Sequence, residues 1–183
     1  LLNRLDRELS PQLTYHGVHH TLDVLAYSID IAKWEGIDGE DLPLLCTAAV
    51  FHDAGFLISW QNHEQHGCKL VQQVLPDFGY SDQAIQRISG MILATAVPQN
   101  PQNHLETILC DADLDYLGRP EFYRIGRTLF QEFRLQGIVR SENEWNDLQI
   151  RFLESHQYFT KTTIHRRQAL KEEHLQQLKS LRL

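Results

Sequence analysis

Apolar residues recur at three- and four-residue steps along almost the whole of this chain, and no segment shows the two-residue alternation of a half-buried strand. That period confines the fold to packed helices. Leu22, Leu25, Ile29 and Ala32 mark an amphipathic helix from about His19 to Trp34, ended by Gly36 and Gly39. A second runs from about Asp41 to Phe51 and stops near Gly55, and the apolar character of its second half predicts a buried central helix. Further helices are expected from His63 to Leu75, closed by Pro76 and Gly79, and from a Ser81 cap to about Thr95. The Pro-, Asn- and Gln-rich stretch 97–103 reads as a loop. A helix resumes from Leu105 to Leu117, and Pro120 takes a first-turn position for the next, through Phe133. Ser141-Glu142-Asn143-Glu144 is a capping-box pattern ahead of Trp145, Leu148 and Phe152, and a polar last helix covers about Thr163 to Leu181. The expectation is an all-α, single-domain helical bundle over residues 1–183.

Composition narrows the class of partner. At 183 residues the chain can bury one sizeable core, and 42% hydrophobic with 22% charged residues is ordinary for a globular protein. No apolar run approaches the ~18 residues of a membrane span, and no secretory apolar region opens the sequence, so no membrane partner is expected. Cys46, Cys68 and Cys110 are scattered and outside any CxxC spacing, which predicts reduced thiols and a cytoplasmic location. A net charge of −7 without a cationic face repels a phosphate backbone, so no large nucleic-acid partner is expected. A small phosphorylated substrate stays compatible, because a bound divalent cation reverses the local field. The sequence does not set the oligomeric state, and a homodimer is compatible with it.

Ten histidines exceed what a core needs, and they gather at 16–20, at 52 and at 63–66. The sharpest feature is His52-Asp53 at the end of the buried helix. Adjacent helical residues point about 100° apart, so both can reach one ion only at a helix terminus, which Gly55 supplies. An Asp directly after an apolar run is costly to bury without a partner, and metal ligation removes that cost. The competing reading is a helix-terminal His beside a solvated Asp. His16 and His20 lie four apart, on one helical face or at its entrance. Asp111, Asp113 and Asp115 alternate within an otherwise apolar segment and repel one another unless a cation or solvent relieves them.

Together, Tyr15-His16, His20, Asp23-Val24, His52-Asp53 and Ala112-Asp113-Leu114 resemble the HD-domain phosphohydrolase superfamily, whose metal site reads H…HD…D. The resemblance covers roughly residues 15–117, with a less diagnostic helical extension over 120–183. It implies His20, His52, Asp53 and Asp113 as ligands of a divalent ion (Mn, Fe, Co, Zn or Mg), with Asp111 as the competing fourth ligand. Binuclear relatives carry two further histidines between the HD pair and the last Asp. Here His63 and His66 come early, His104 comes late, Thr95 stands near one expected position, and the His-Pro that follows HD in the phosphodiesterases is absent. One tightly held ion is therefore expected.

The activity implied is hydrolysis of a small phosphate ester, with nucleotides as the substrate class, by metal-activated water. The resemblance makes His16 the proton donor to the leaving oxygen, with hydrogen bonding to a ligand as its alternative role. Glu64, after the HD loop, could orient the attacking water, although a helix N-terminus favours Glu for its own reasons. Arg119, Arg127, Lys161, Arg166, Arg167 and Lys171 are possible phosphate clamps, most of them expected to face solvent. Phe152, Tyr158 and Phe159 read as core rather than as a base-stacking platform. Two alternatives stand beside the hydrolase. One is a di-iron oxygenase of the same fold, and the other is a non-catalytic metal- or nucleotide-binding module.

Overall fold

The computed structural model describes residues 1–181, and among these there are nine α-helices and no strand. They are α1 (Leu2–Glu8), α2 (Val18–Trp34), α3 (Asp41–Phe51), α4 (His63–Val74), α5 (Asp82–Ala94), α6 (His104–Asp113), α7 (Phe122–Leu135), α8 (Glu142–Ser155) and α9 (Lys161–Ser180). Single 3-10 turns lie at Ala54–Leu57, Leu75–Phe78 and Asp115–Gly118. The chain is thus all-α, as its periodicity requires. The short first helix lies outside the periodic segments, and only Leu5 anchors it in the interior.

Local chemistry sets most boundaries. The Ser81 hydroxyl accepts from the Ala84 N–H at 3.3 Å, Ser141 caps α8 through the Glu144 N–H at 3.2 Å, and Thr160 caps α9 through the Thr163 N–H at 3.1 Å. Asn103 does the same for α6, accepting from the Glu106 N–H at 3.1 Å. Pro120 is not the first-turn residue of α7. Arg119 is extended (φ −113°, ψ 156°), as a residue before proline prefers, and its carbonyl accepts from the Phe122 N–H at 3.1 Å. Pro120 therefore sits inside a tight turn, and α7 starts beyond it.

The helix expected to run to Leu117 stops at Asp113. Leu114 leaves helical geometry (φ −107°, ψ 15°), and its carbonyl accepts both the Leu117 N–H at 3.1 Å and the buried Tyr158 hydroxyl at 3.3 Å. Asp113 thereby becomes a terminal residue, free of the crowding inside a helix.

α2 packs on α3 and α6, α3 on α5, and α4 on α5, burying Val24, Ile31, Leu45, Ala48, Ile88 and Ile108 among others. A second apolar cluster joins Tyr15, Leu117, Phe122, Ile150, Leu153 and Leu178, where α9 and α8 close over the 115–118 turn. The 54–57 turn lies against α4 so closely that a Cβ on Gly55 would stand 1.8 Å from the His63 carbonyl oxygen. Only glycine permits that approach, and it fixes the start of α4 beside the end of α3. No helix among the described residues is long and apolar enough to cross a membrane.

Candidate metal centre

Three helix ends converge between the two clusters. His20 comes from the first turn of α2, His52 caps the C-terminus of α3, and Asp113 is the last residue of α6. One ligand atom from each can be chosen so that all lie within 4.8 Å of one another. Asp53 joins them because the chain leaves the helix there (φ −101°, ψ 4°), turning two adjacent side chains toward one point. Its Oδ2 lies 3.1 Å from His52 Nε2 and 3.4 Å from His20 Nε2. Asp113 Oδ1 lies 3.2 Å from His20 Nε2 and 3.6 Å from His52 Nε2, and the two Nε2 atoms are 3.3 Å apart.

The donor set fits a divalent cation. His52 Nδ1 lies 2.7 Å from the Ala49 carbonyl, which can only accept, so Nδ1 carries a proton and Nε2 can offer its lone pair to the centre. Asp53 Oδ2 is buried without a hydrogen-bond partner, and two imidazole nitrogens and two carboxylates face one point. Such a group calls for positive charge. Burial opposes the His52 imidazolium, yet Asp53, Asp113 and the Ala49 carbonyl more than offset it, raising its pKa to about 9. Burial likewise opposes the Asp53 carboxylate, and His52 and His63 overcome it, holding Asp53 well below the usual carboxylate range. A proton or a metal ion satisfies that demand, and mixed N/O ligation suits the ion.

Asp111, the competing fourth ligand, points elsewhere. Its two carboxylate oxygens each accept a backbone N–H at 2.8 Å, from Phe159 and from Thr160. Burial pushes it up to about 6 despite those bonds. It ties the α8–α9 connection to α6. Asp115, the third acid of the run, pairs with Arg167 at 2.8 Å.

Around the cluster, His16 precedes α2, and its Nδ1 bonds the carboxylate of Glu132, a residue fully buried on α7. Glu132 Oε2 also accepts the Tyr15 N–H at 2.8 Å and the His16 N–H at 3.0 Å. Glu64 stands in the first turn of α4 beside His63, whose Nε2 is 3.4 Å from Glu64 Oε1 and 3.4 Å from Asp53 Oδ1. His63 stacks on Phe56 with ring centroids 4.0 Å apart. Burial opposes its charge, but Asp53 and Glu64 prevail and raise its pKa. His104 pairs instead with Glu35 at the far end of α2. Thr95, near the position of an expected further histidine, turns its hydroxyl to the Ile92 carbonyl at 2.8 Å.

Glu132 is the neighbour that sequence reasoning misses. It is one acid among many on an amphipathic helix, and nothing local says that it turns inward. The candidate phosphate clamps are mostly engaged elsewhere. Arg119 is buried rather than solvent-facing and forks onto Asp23 at 2.8 and 3.2 Å, while Arg166 pairs with Asp30. Lys171, also buried, donates to the His156 carbonyl at 2.6 Å. The Asp23 of the Asp-Val pair thus fastens α2 to the end of the 115–118 turn.

A cavity of about 610 Å³ opens beside the cluster, with His16, Asp53, His63, Glu64 and Asp113 at one end. Leu129, Phe133, Trp145, Leu148 and Phe152, from α7 and α8, form much of the remainder. Phe152 therefore serves the cavity as well as the core, whereas Tyr158 is buried in the second cluster.

No family model matches the chain, and none of the curated proteins does. Among solved structures, it is similar to a predicted HD superfamily hydrolase from an uncultured Thermotogales bacterium. The match covers 98% of this chain and 89% of that one, with a TM-score of 0.62 and 20% identity. The chain has the fold of that protein, an all-helical bundle, and its own His20, His52 and Asp113 form a cluster that could hold a metal ion.

Proposed function

We propose that this protein is a metal-dependent phosphohydrolase that cleaves a small phosphate ester, with His20, His52, Asp53 and Asp113 as the ligands of one divalent ion. The observation that carries the proposal is the convergence of two Nε2 atoms and two carboxylates on one buried point that demands positive charge. When bound, a divalent ion held by these four residues would supply Lewis acidity, making a water more acidic and a phosphoryl group more electrophilic. Asp53 has a second part in this reading, accepting from the attacking water on the oxygen that faces His63. Glu64, held beside His63, orients that water from the other side.

In the reaction, the water oxygen bonds to phosphorus as the bond from phosphorus to the alcohol oxygen breaks. The water proton passes to Asp53 Oδ1, the carboxylate oxygen that faces His63. His16 gives a proton from Nε2 to the departing alkoxide, and the products are inorganic phosphate and the alcohol. Glu132 prepares His16 for this proton transfer. The acid is the imidazolium: the Glu132 carboxylate holds the Nδ1 proton throughout and aligns the ring, and the second proton, on Nε2, is the one given to the alkoxide. His16 packs against Phe56 at 4.6 Å and Trp60 at 5.7 Å, which limits its rotation.

The HD resemblance suggests nucleotides as the substrate class, and a cytoplasmic setting agrees with the unpaired thiols. Screening metal-loaded protein against mono-, di- and cyclic nucleotides and p-nitrophenyl phosphates, with chelator and metal add-back arms, tests the activity. Chelator-sensitive phosphate release supports it. Metal binding without turnover of any ester would point to a binding module, and two irons per chain with oxygen uptake to an oxygenase.

A further inference from the structure

The charges lining the cavity say more about the substrate than the cluster does. Three carboxylates, Asp53, Glu64 and Asp113, face it at the polar end, and the one permanently cationic side chain among its described lining residues is Arg151, itself exposed. None of the six basic residues marked in the sequence as possible clamps contributes to the lining. A di- or triphosphate chain spreads several negative charges beyond the reacting phosphorus, and such chains are ordinarily held by forked Arg or Lys contacts. Here that neighbourhood is mainly hydrocarbon, with Thr95, Gln149, Ser155 and the exposed Arg151 as polar members. Leu117, Phe122, Leu129, Phe133, Trp145 and Leu148 make the body of the cavity, from three different elements of the fold. Its volume is that of a pocket for a ligand well beyond phosphate alone.

Resting on the phosphohydrolase reading above, we infer that the substrate is the phosphate monoester of a largely apolar alcohol. Its compact dianionic head lies at the histidine–carboxylate end and its hydrocarbon body fills the cavity between α7, α8 and the 115–118 turn. Hydrolysis forms the water-oxygen-to-phosphorus bond, breaks the phosphorus-to-alkoxide bond, and sends the Nε2 proton of His16 to the alkoxide. The products differ sharply in polarity, an apolar alcohol and a phosphate ion, and Leu148 and Trp145 hold the first while the polar end holds the second.

The test is a series of n-alkyl phosphates, ethyl through octyl, whose leaving groups are chemically equivalent, assayed beside AMP and ATP with the metal-loaded protein. Each methylene buried in the cavity should raise kcat/KM by up to about fourfold, so octyl phosphate should exceed ethyl phosphate by two orders of magnitude or more. AMP and ATP should fall below hexyl phosphate. Leu148→Gln, at a half-buried position, should flatten the chain-length dependence with the circular dichroism of the helices unchanged. A flat series, or a preference for AMP or ATP, overturns the inference and leaves the phosphohydrolase reading standing. No phosphate release from any ester overturns both.

Discussion

Replacing Glu132 by glutamine separates the geometry of this site from its chemistry. Glutamine has the size of glutamate and keeps one carbonyl oxygen, which can still accept the Tyr15 and His16 N–H groups now bound at 2.8 and 3.0 Å. The other position becomes an NH2 facing His16 Nδ1, so that nitrogen must turn acceptor and the ring can no longer carry protons on both nitrogens, which leaves a neutral and much weaker acid at Nε2. The fold loses one charge-assisted hydrogen bond, a cost of about 1.5–3 kcal/mol. The reaction loses the carboxylate that steadies and orients the proton donor, and general acid catalysis contributes about 10²- to 10⁴-fold. The expected result is kcat lowered about 100-fold or more, KM within a few-fold of its starting value, and metal content unchanged. Glu132→Ala should cost more stability, about 2–6 kcal/mol, because it also strips the acceptor from two backbone donors. The double variant His16→Ala/Glu132→Gln should be no slower than His16→Ala alone, since both changes remove one function. The measurements are steady-state kinetics on a hydrolysed ester and urea unfolding. A Glu132→Gln protein with kcat within twofold of the parent would refute the assigned role, as would fully additive losses in the double variant.

Asp113→Asn should reduce metal affinity at least tenfold, whereas Asp111→Asn should keep the metal and lose about 1–3 kcal/mol of stability, since an amide cannot accept both the Phe159 and Thr160 N–H groups; metal titration and denaturation distinguish them. Gly55→Ala should cost about 3 kcal/mol, because its Cβ would collide with the His63 carbonyl backbone, and should loosen metal binding as α4 shifts; the urea midpoint reads the first effect. His156 is held neutral by burial and by Lys171, which lower its pKa to about 3. A depressed histidine contributes stability above its unfolded pKa of about 6.5, and that stability is lost as pH falls toward the folded value. Between pH 7 and pH 5 the parent should therefore lose about 2 kcal/mol relative to His156→Asn, and equal losses in the two proteins would contradict the assignment.

The helical character of the chain was legible because apolar spacing is a local signal that every packed helix must carry. His52-Asp53 stands out in the sequence because an adjacent His-Asp pair after an apolar run is costly to bury unpartnered, whereas His20 and Asp113 are singled out by the resemblance to the H…HD…D pattern. The choice between Asp113 and Asp111 needed the tertiary structure: both are acids near the end of α6, and only the partners at 159–160 show why Asp111 turns away. Pro120 misled in the same manner, since a proline fits the first turn of a helix and the second position of a tight turn equally well. Glu132 was invisible, because a buried carboxylate on an amphipathic helix differs from its exposed neighbours only through contacts 116 and 117 residues away. The apolar cavity leaves no mark in the sequence for a related reason. Its wall is assembled from α7, α8 and the 115–118 turn, each of which reads alone as ordinary core.

The most direct test of the metal centre is elemental analysis of the full chain and of its Asp53→Ala variant, each loaded with Mn²⁺ and freed of excess ion, with ester hydrolysis measured on the same samples. The parent should hold about one ion per chain and release phosphate in a chelator-sensitive manner, and the variant should lose both properties. Full hydrolysis by a metal-free Asp53→Ala protein would contradict the metal-dependent mechanism.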